Sequence, residues 1–219
     1  MDPKAFNELM EQRHSVRYLK SKEIPDQTIK EIMSTALKSP SWCNSQAWSI
    51  YVASGKTLSE IRKEWISRNE QGIKGNADID PGHRTDTAER TQNNMNQFFK
   101  EVGEHLKDPT IKTLADAQKI LFNTPTMVYL ALPKKRVTYS ILDLGAIEMS
   151  ILLAAKSHGV DSLIAYESIK FPDIIRKYCK IQDDEDIVIG IALGYEDESK
   201  VNKFRATKLT VDQACHFFN

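Results

Sequence analysis

The stretch from Tyr139 to His158 restricts the fold more than any other part of this chain. Ile141, Leu142, Leu144, Ala146, Ile147, Met149, Ile151, Leu152, Leu153, Ala154 and Ala155 place apolar side chains around nearly the whole circumference of one helix. Such a helix cannot sit on a solvated surface, so it must be buried centrally or at a subunit interface. Gly159 follows as a residue suited to the left-handed conformation that closes helices. The apolar runs at Thr126–Leu132 and Ile187–Tyr195 are shorter than the ~20 residues of a membrane helix, so no membrane partner is expected.

Around that helix the pattern alternates between two periods. Phe6, Leu9, Met10 and Arg13 at i, i+3, i+4 and i+7 predict a helix over about Pro3–Gln12. Ile24-Pro25-Asp26 announces a second, with Asp26 as N-cap or first-turn acid and Ile29, Ile32, Met33, Ala36 and Leu37 on one face. Strands are predicted at Trp48–Ala53 (closed by Ser54-Gly55), Thr126–Leu132, Ser162–Ala165 and Ile187–Gly194, and a helix at Pro172–Cys179. Between the first two strands, Thr57–Arg68, Thr87–Leu106 and Thr110–Phe122 read as a mainly helical insertion at about 57–122. Its glycine- and aspartate-rich stretch Gly72–Asp86 reads as a mobile or excursion loop. Trp65, Phe98 and Phe99 are candidates to cover a substrate face, or equally to pack as a satellite core. The residues from Glu196 onward form an extended tail at about 196–219 whose Phe204, Phe217 and Phe218 suggest that it lies against something. The expected fold class is α+β, one domain over 1–219, with one sheet of four or five strands flanked by helices.

Thirty Lys and Arg balance thirty Asp and Glu, which argues against a nucleic-acid partner but allows a local cationic cluster around one small anion. Cys43, Cys179 and Cys215 are odd in number, lack C-x-x-C spacing and are accompanied by no glycosylation acceptor; Met1-Asp2-Pro3-Lys4 reads as a helix start. A cytoplasmic setting is the expectation. Ser54-Gly55-Lys56-Thr57 fails as a phosphate loop because Ile50 stands where the first glycine belongs, and the five histidines are never paired at i, i+4. No metal site is expected, nor a nucleophile elbow or a Rossmann fingerprint.

Polar residues gathered at helix ends remain. Arg13-His14-Ser15-Val16-Arg17 brings two guanidiniums and a hydroxyl to the end of the first helix, suited to an organic phosphate or a polarised carbonyl, or simply to a solvated helix terminus. Pro40-Ser41-Trp42-Cys43-Asn44-Ser45-Gln46 carries two amides that both donate and accept, suited to a heterocycle edge or to a hydrogen-bonded turn. Asn202-Lys203-Phe204-Arg205 adds two late cations.

In this order, and together with Leu121-Phe122-Asn123-Thr124-Pro125, Asp143, Gly145 and Gly190–Tyr195, these elements resemble the nitroreductase family of FMN-dependent, NAD(P)H-using oxidoreductases. The resemblance implies a nitroreductase-like fold with a mainly antiparallel central sheet. It also implies a homodimer with a long central helix and FMN at the subunit interface. Arg13, Ser15, Lys203 and Arg205 are then expected near the phosphate, with His14 in the same element. Arg17 falls near the pyrimidine edge, where it stabilises reduced flavin. Pro40, Ser41, Asn44 and Gln46 flank the isoalloxazine, and Tyr166, Glu167 and Ser168 present backbone amides to flavin N5. Trp42 and Cys43 stand where the family usually has small residues, and Ala47 replaces a frequent proline. The implied reaction moves electrons from NADH or NADPH to nitroaromatic or quinone-like small molecules by a ping-pong, two-electron mechanism, with no catalytic side chain because chemistry occurs at flavin N5. Flavin, enone or dehalogenating reduction on the same scaffold, or FMN binding without turnover, are the alternatives.

Overall fold

A computed structural model describes residues 2–218 of the chain. Two long strands form its spine, β3 (Thr126–Pro133) and β5 (Glu185–Glu196), running antiparallel with Val128 opposite Ile191 and Tyr129 opposite Gly190. Every residue of β3 from Thr126 to Leu132 is buried, because both faces of the sheet are covered. Val128, Leu130 and Leu132 face one core, while Met127 and Tyr129 face the other. Strand β5 meets both cores as well, with Ile189, Ile191 and Leu193 on the first side and Ala192 on the second. Its register slips opposite Leu130/Ala131. That bulge reverses the alternation and sends Ile187 to the face opposite Ile189.

Strand β2 (Ser49–Ser54) pairs with the outer side of β3 and forms one sheet edge. On the far side of β5 lie two short strands, β1 (Leu19–Lys20) and β4 (Asp161–Ile164), which share that strand end to end. All the ladder pairings among the described residues are antiparallel. One parallel bridge, Ser15 to Ser162, ties the segment before β1 to β4.

Helices α2 (Asp26–Ala36) and α6 (Tyr139–Ser157) pack on the first face, and α3 (Gly55–Glu70) and α7 (Pro172–Cys179) on the second. Helix α1 (Pro3–Gln12) starts where the Asp2 carboxylate accepts the Lys4 amide, with Pro3 in the first turn. It buries no residue, and Phe6 and Met10 stay 44% and 40% exposed. Helix α6 is buried along Ile147, Ile151, Ala154 and Ala155 but leaves Ile141 and Leu142 44% and 65% exposed.

Some expectations are met and others need correcting. Ser54-Gly55 closes the strand as expected, and Gly55 also opens α3 at φ 51°, a backbone value that suits glycine. Asp26 takes the first-turn place, one of the two expected for it, and makes no side-chain cap bond. Trp65 is core and not a cover: it is 1% exposed, edge-on to Phe171, and its indole donates to the Gln118 carbonyl. The loop after α3 is also less free than its composition suggests. Asp78 accepts from Arg176 and from the Ile187 amide, and the Asn76 amide donates to Lys170. Helices α4 (Glu89–Leu106) and α5 (Lys112–Lys119) complete this region. The tail packs through Phe204, which meets Phe98 and His105 edge-on or tilted. Beyond it, a four-residue helix α8 (Val211–Ala214) precedes Phe217 and Phe218, which are 77% and 92% exposed. No described helix is long and apolar enough to cross a membrane.

Candidate functional site

The first polar run leaves α1 in extended conformation and docks on β4, where the Val16 amide donates to the Ser162 carbonyl at 3.0 Å. Its other tether is Asn202, in the turn Lys200–Lys203 after β5. The fully buried Asn202 amide oxygen accepts from the Arg17 and Tyr18 amides at 2.8 and 3.2 Å, and its nitrogen donates to the Tyr18 carbonyl. The Asn202 carbonyl accepts from Arg205 at 2.7 Å. Asn202 thus tethers the Arg17 main chain through its side chain and the Arg205 guanidinium through its carbonyl, joining opposite ends of the sequence. Glu196 performs a similar service at the edge, standing 3.3 Å from both His14 and Lys203.

Three guanidiniums in this cluster, Arg13, Arg17 and Arg205, form no ion pair with a carboxylate among the described residues. Arg13 Nε is buried without a hydrogen-bond acceptor. Burial lowers the Arg17 guanidinium from its ordinary value, and its carbon lies 6.0 Å from the Phe98 ring centre, so one face is apolar. Desolvated cations without counter-charges are costly unless an anion joins them. Ser15 contributes its carbonyl to Arg17 at 3.4 Å.

The second run is held at the start of α6. Both Asp143 carboxylate oxygens accept the Trp42 amide, at 3.0 and 3.1 Å, and one accepts the Ser45 hydroxyl. The Ser41 hydroxyl accepts the Gln46 amide at 3.0 Å, and Cys43, Asn44 and Gln46 all have positive φ. Pro40, Asn44 and Gln46 are exposed, so the amide groups point away from the core. Asp143, one of two acids in an apolar helix, is the organising group that the sequence did not place in the site.

The Tyr166–Ile169 turn follows β4. Tyr166 and Glu167 are exposed, and their amides open the turn, where no intrahelical acceptor exists. Ser168 is different: it is fully buried, and both its amide and its hydroxyl donate to the Ala165 carbonyl. The Ser168 side chain therefore faces the core and is closed to a ligand. Nearby, Glu148 on α6 has a buried, unpartnered Oε1, and burial raises its carboxyl. The Tyr166 phenol is raised by burial and then by the Glu148 charge.

Within the chain the two polar runs dock toward opposite ends of α6, one at Asp143 and the other at Ser162, beyond Lys156 and its ion pair with Asp161. Asp143 to Lys156 spans about 20 Å at 1.5 Å per residue.

An antiparallel sheet between helical layers, with cationic residues from both ends of the chain meeting at Asn202, defines an α+β protein. The chain belongs to the nitroreductase family, whose model matches residues 10–195 under the description "Nitroreductase family". It is 26% identical over 224 residues to a 4-nitrobenzoate reductase of Pseudomonas putida, covering 97% of this chain and 95% of that protein. A nitrobenzene nitroreductase of Ectopseudomonas oleovorans is 23% identical over 219 residues, covering 97% and 96%. The crystal structure of the FMN-dependent nitroreductase NfnB from Mycobacterium smegmatis in complex with NADPH superposes with a TM-score of 0.90 at 19% identity, covering 99% of each chain.

Proposed function

We propose that this protein is an FMN-dependent oxidoreductase that takes electrons from NADPH or NADH and passes them to nitroaromatic or quinone-like acceptors, as a cytoplasmic homodimer. The carrying observation is that Arg13, Arg17 and Arg205 have no carboxylate partners among the described residues, with the Arg17 backbone and the Arg205 side chain both tied to Asn202 and Arg13 Nε buried without an acceptor. Flavin mononucleotide fits this donor set. A phosphate dianion satisfies Arg13 and Arg205, with Ser15, His14 and Lys203 at the rim, and the electron-rich pyrimidine edge satisfies Arg17. The amides of Tyr166 and Glu167 suit the ring's central nitrogen and its neighbouring carbonyl, and Ser41, Asn44 and Gln46 suit its flank. When bound, the flavin supplies two-electron chemistry, which accounts for a site without a catalytic triad. The chain binds and orients the ring, and Arg17, half-sheathed by Phe98, supplies a fixed positive charge where negative charge develops.

The reading requires two protomers. Arg17 and Asn44 cannot touch one three-ring system if their runs dock about 20 Å apart on the same α6. The exposed Ile141 and Leu142 of α6, and Phe6 and Met10 of α1, offer apolar side chains to a second copy, whose amide turn would then face the first copy's cationic residues. The curated relatives named above reduce nitroaromatic compounds, which favours that acceptor class. Donor and acceptor then use the ring in turn. The purified protein is expected to be yellow, and anaerobic NADPH or NADH should bleach the flavin band within seconds. A protein that stays colourless after incubation with FMN refutes the cofactor, and a yellow protein that neither donor bleaches refutes the enzyme.

A further inference from the structure

The structure assigns Trp42 and Tyr139 as the aromatic wall on which a planar, electron-poor acceptor stacks, an inference that rests on placing the Ser41–Gln46 run beside the flavin. Trp48 and Trp65 are buried, at 8% and 1% exposure, whereas Trp42 is 50% exposed. It leans on Tyr139, itself 55% exposed, with ring centres 5.8 Å apart and planes only 16° from parallel. Together the two rings present a broad apolar surface to solvent at the edge of the polar turn.

That surface is pinned rather than loose. The Trp42 amide is clamped by both Asp143 oxygens, the next two residues are fixed in left-handed conformation, and the indole face rests on Tyr139. A wall already in its binding geometry loses little conformational freedom when a ring docks, so its contact area converts efficiently into affinity. Trp42 directly follows Ser41 and stands two residues before Asn44, and consecutive Cα atoms are about 3.8 Å apart. A ring bound at Asn44 therefore lies within a few residues' reach of the indole.

The chemistry of the wall selects its ligand. Indole and phenol faces are electron-rich, and a nitro-substituted benzene ring is electron-poor, so offset stacking between them is favourable. Neither wall residue carries a charge, so recognition is of a flat conjugated ring rather than of its charged substituents. The wall thus provides for aromatic acceptors over compact non-planar oxidants.

The test uses the FMN-loaded dimer without a nicotinamide donor, so that binding is read apart from turnover, and 4-nitrobenzoate as the probe. In the unaltered protein, the probe should quench the fluorescence of the exposed indole. Trp42→Ala should raise the dissociation constant from equilibrium dialysis roughly two- to tenfold, the range expected for one aromatic pair. Trp42→Phe should restore most of the affinity. In turnover, Trp42→Ala should lower kcat/KM for 4-nitrobenzoate relative to ferricyanide, through KM rather than kcat. Tyr139→Leu leaves the indole in place as a second probe, and should weaken quenching and affinity in the same direction. An unchanged dissociation constant in both variants, with flavin content and dimer mass intact, overturns the assignment. So does dissociation of Trp42→Ala into monomers that Trp42→Phe repairs, since the pair is then an interface anchor. Failure of the cofactor reading shows earlier and separately, as a colourless unaltered protein.

Discussion

Arg13, Arg17 and Arg205 carry positive charge with no carboxylate ion-pair partner among the described residues. Asn202 fixes the backbone at Arg17 and Tyr18 and accepts from the Arg205 side chain, and in the proposed reading a phosphate supplies the missing counter-charge. Removing one charge-assisted contact of this kind costs about 1.5–3 kcal/mol, so Arg13→Ala or Arg205→Ala should weaken FMN retention roughly ten- to a hundredfold. Flavin absorbance remaining after extensive dialysis measures it, and full retention in both variants refutes the phosphate assignment. The cysteines give a second check at this scale. Burial pushes the Cys179 thiol up to about 11, so little thiolate exists at pH 8, whereas Cys43 and Cys215 are exposed. Iodoacetamide at pH 8 should modify Cys43 and Cys215 well before Cys179, as read by peptide mass spectrometry. The cations were legible in the sequence as short basic runs. The inward turn of Ser168 was not, because it depends on a gap across the sheet that only the folded pairing of β4 with β5 creates.

That gap is Gly190, and it shows what elements add to residues. A Cβ built there falls 2.0 Å from Ser168 Oγ, too close for any real contact. Gly190→Ala should therefore destabilise the protein by about 1–3 kcal/mol through overpacking, visible as a lower Tm, and Ser168→Ala in the same chain should recover much of it. The turn held by Asp143 depends on α6 in the same way: Asp143→Ala leaves the Trp42 amide without its acceptor. Helices and long strands followed from periodicity, since α1, α2, α6, α7, β3 and β5 all lie within a few residues of where the pattern put them. Two-residue β1 and four-residue α8 carry too few side chains to show a period, and the bulge in β5 is a property of pairing rather than of sequence. Trp65 misled as a candidate cover because an aromatic in a helical insertion looks the same whether it faces a ligand or Phe171.

At the scale of the whole molecule, the separation of the two polar runs becomes a statement about assembly. If each flavin is gripped by the cradle of one protomer and flanked by the amide turn of its partner, a dimer holds two composite sites, each built from both chains. Arg205→Ala disables the cradle and Asn44→Ala disables the turn, so a homodimer of either variant has two impaired sites. In a mixed dimer, both lesions meet in one site and the other site is wholly intact. Co-expressing the variants with different affinity tags and isolating the doubly tagged species should therefore recover about half the flavin and half the NADPH-dependent nitroreduction of the unaltered dimer. Sites contained within single protomers predict something else: every site in the mixed dimer then carries one lesion, and activity stays at the average of the two parent variants. The exposed Ile141 and Leu142 connect this outcome to the helix that most constrained the fold. A charge there, such as Leu142→Glu, should release monomers in sedimentation and lose flavin together with the dimer, because separation takes the amide turn away from the cradle.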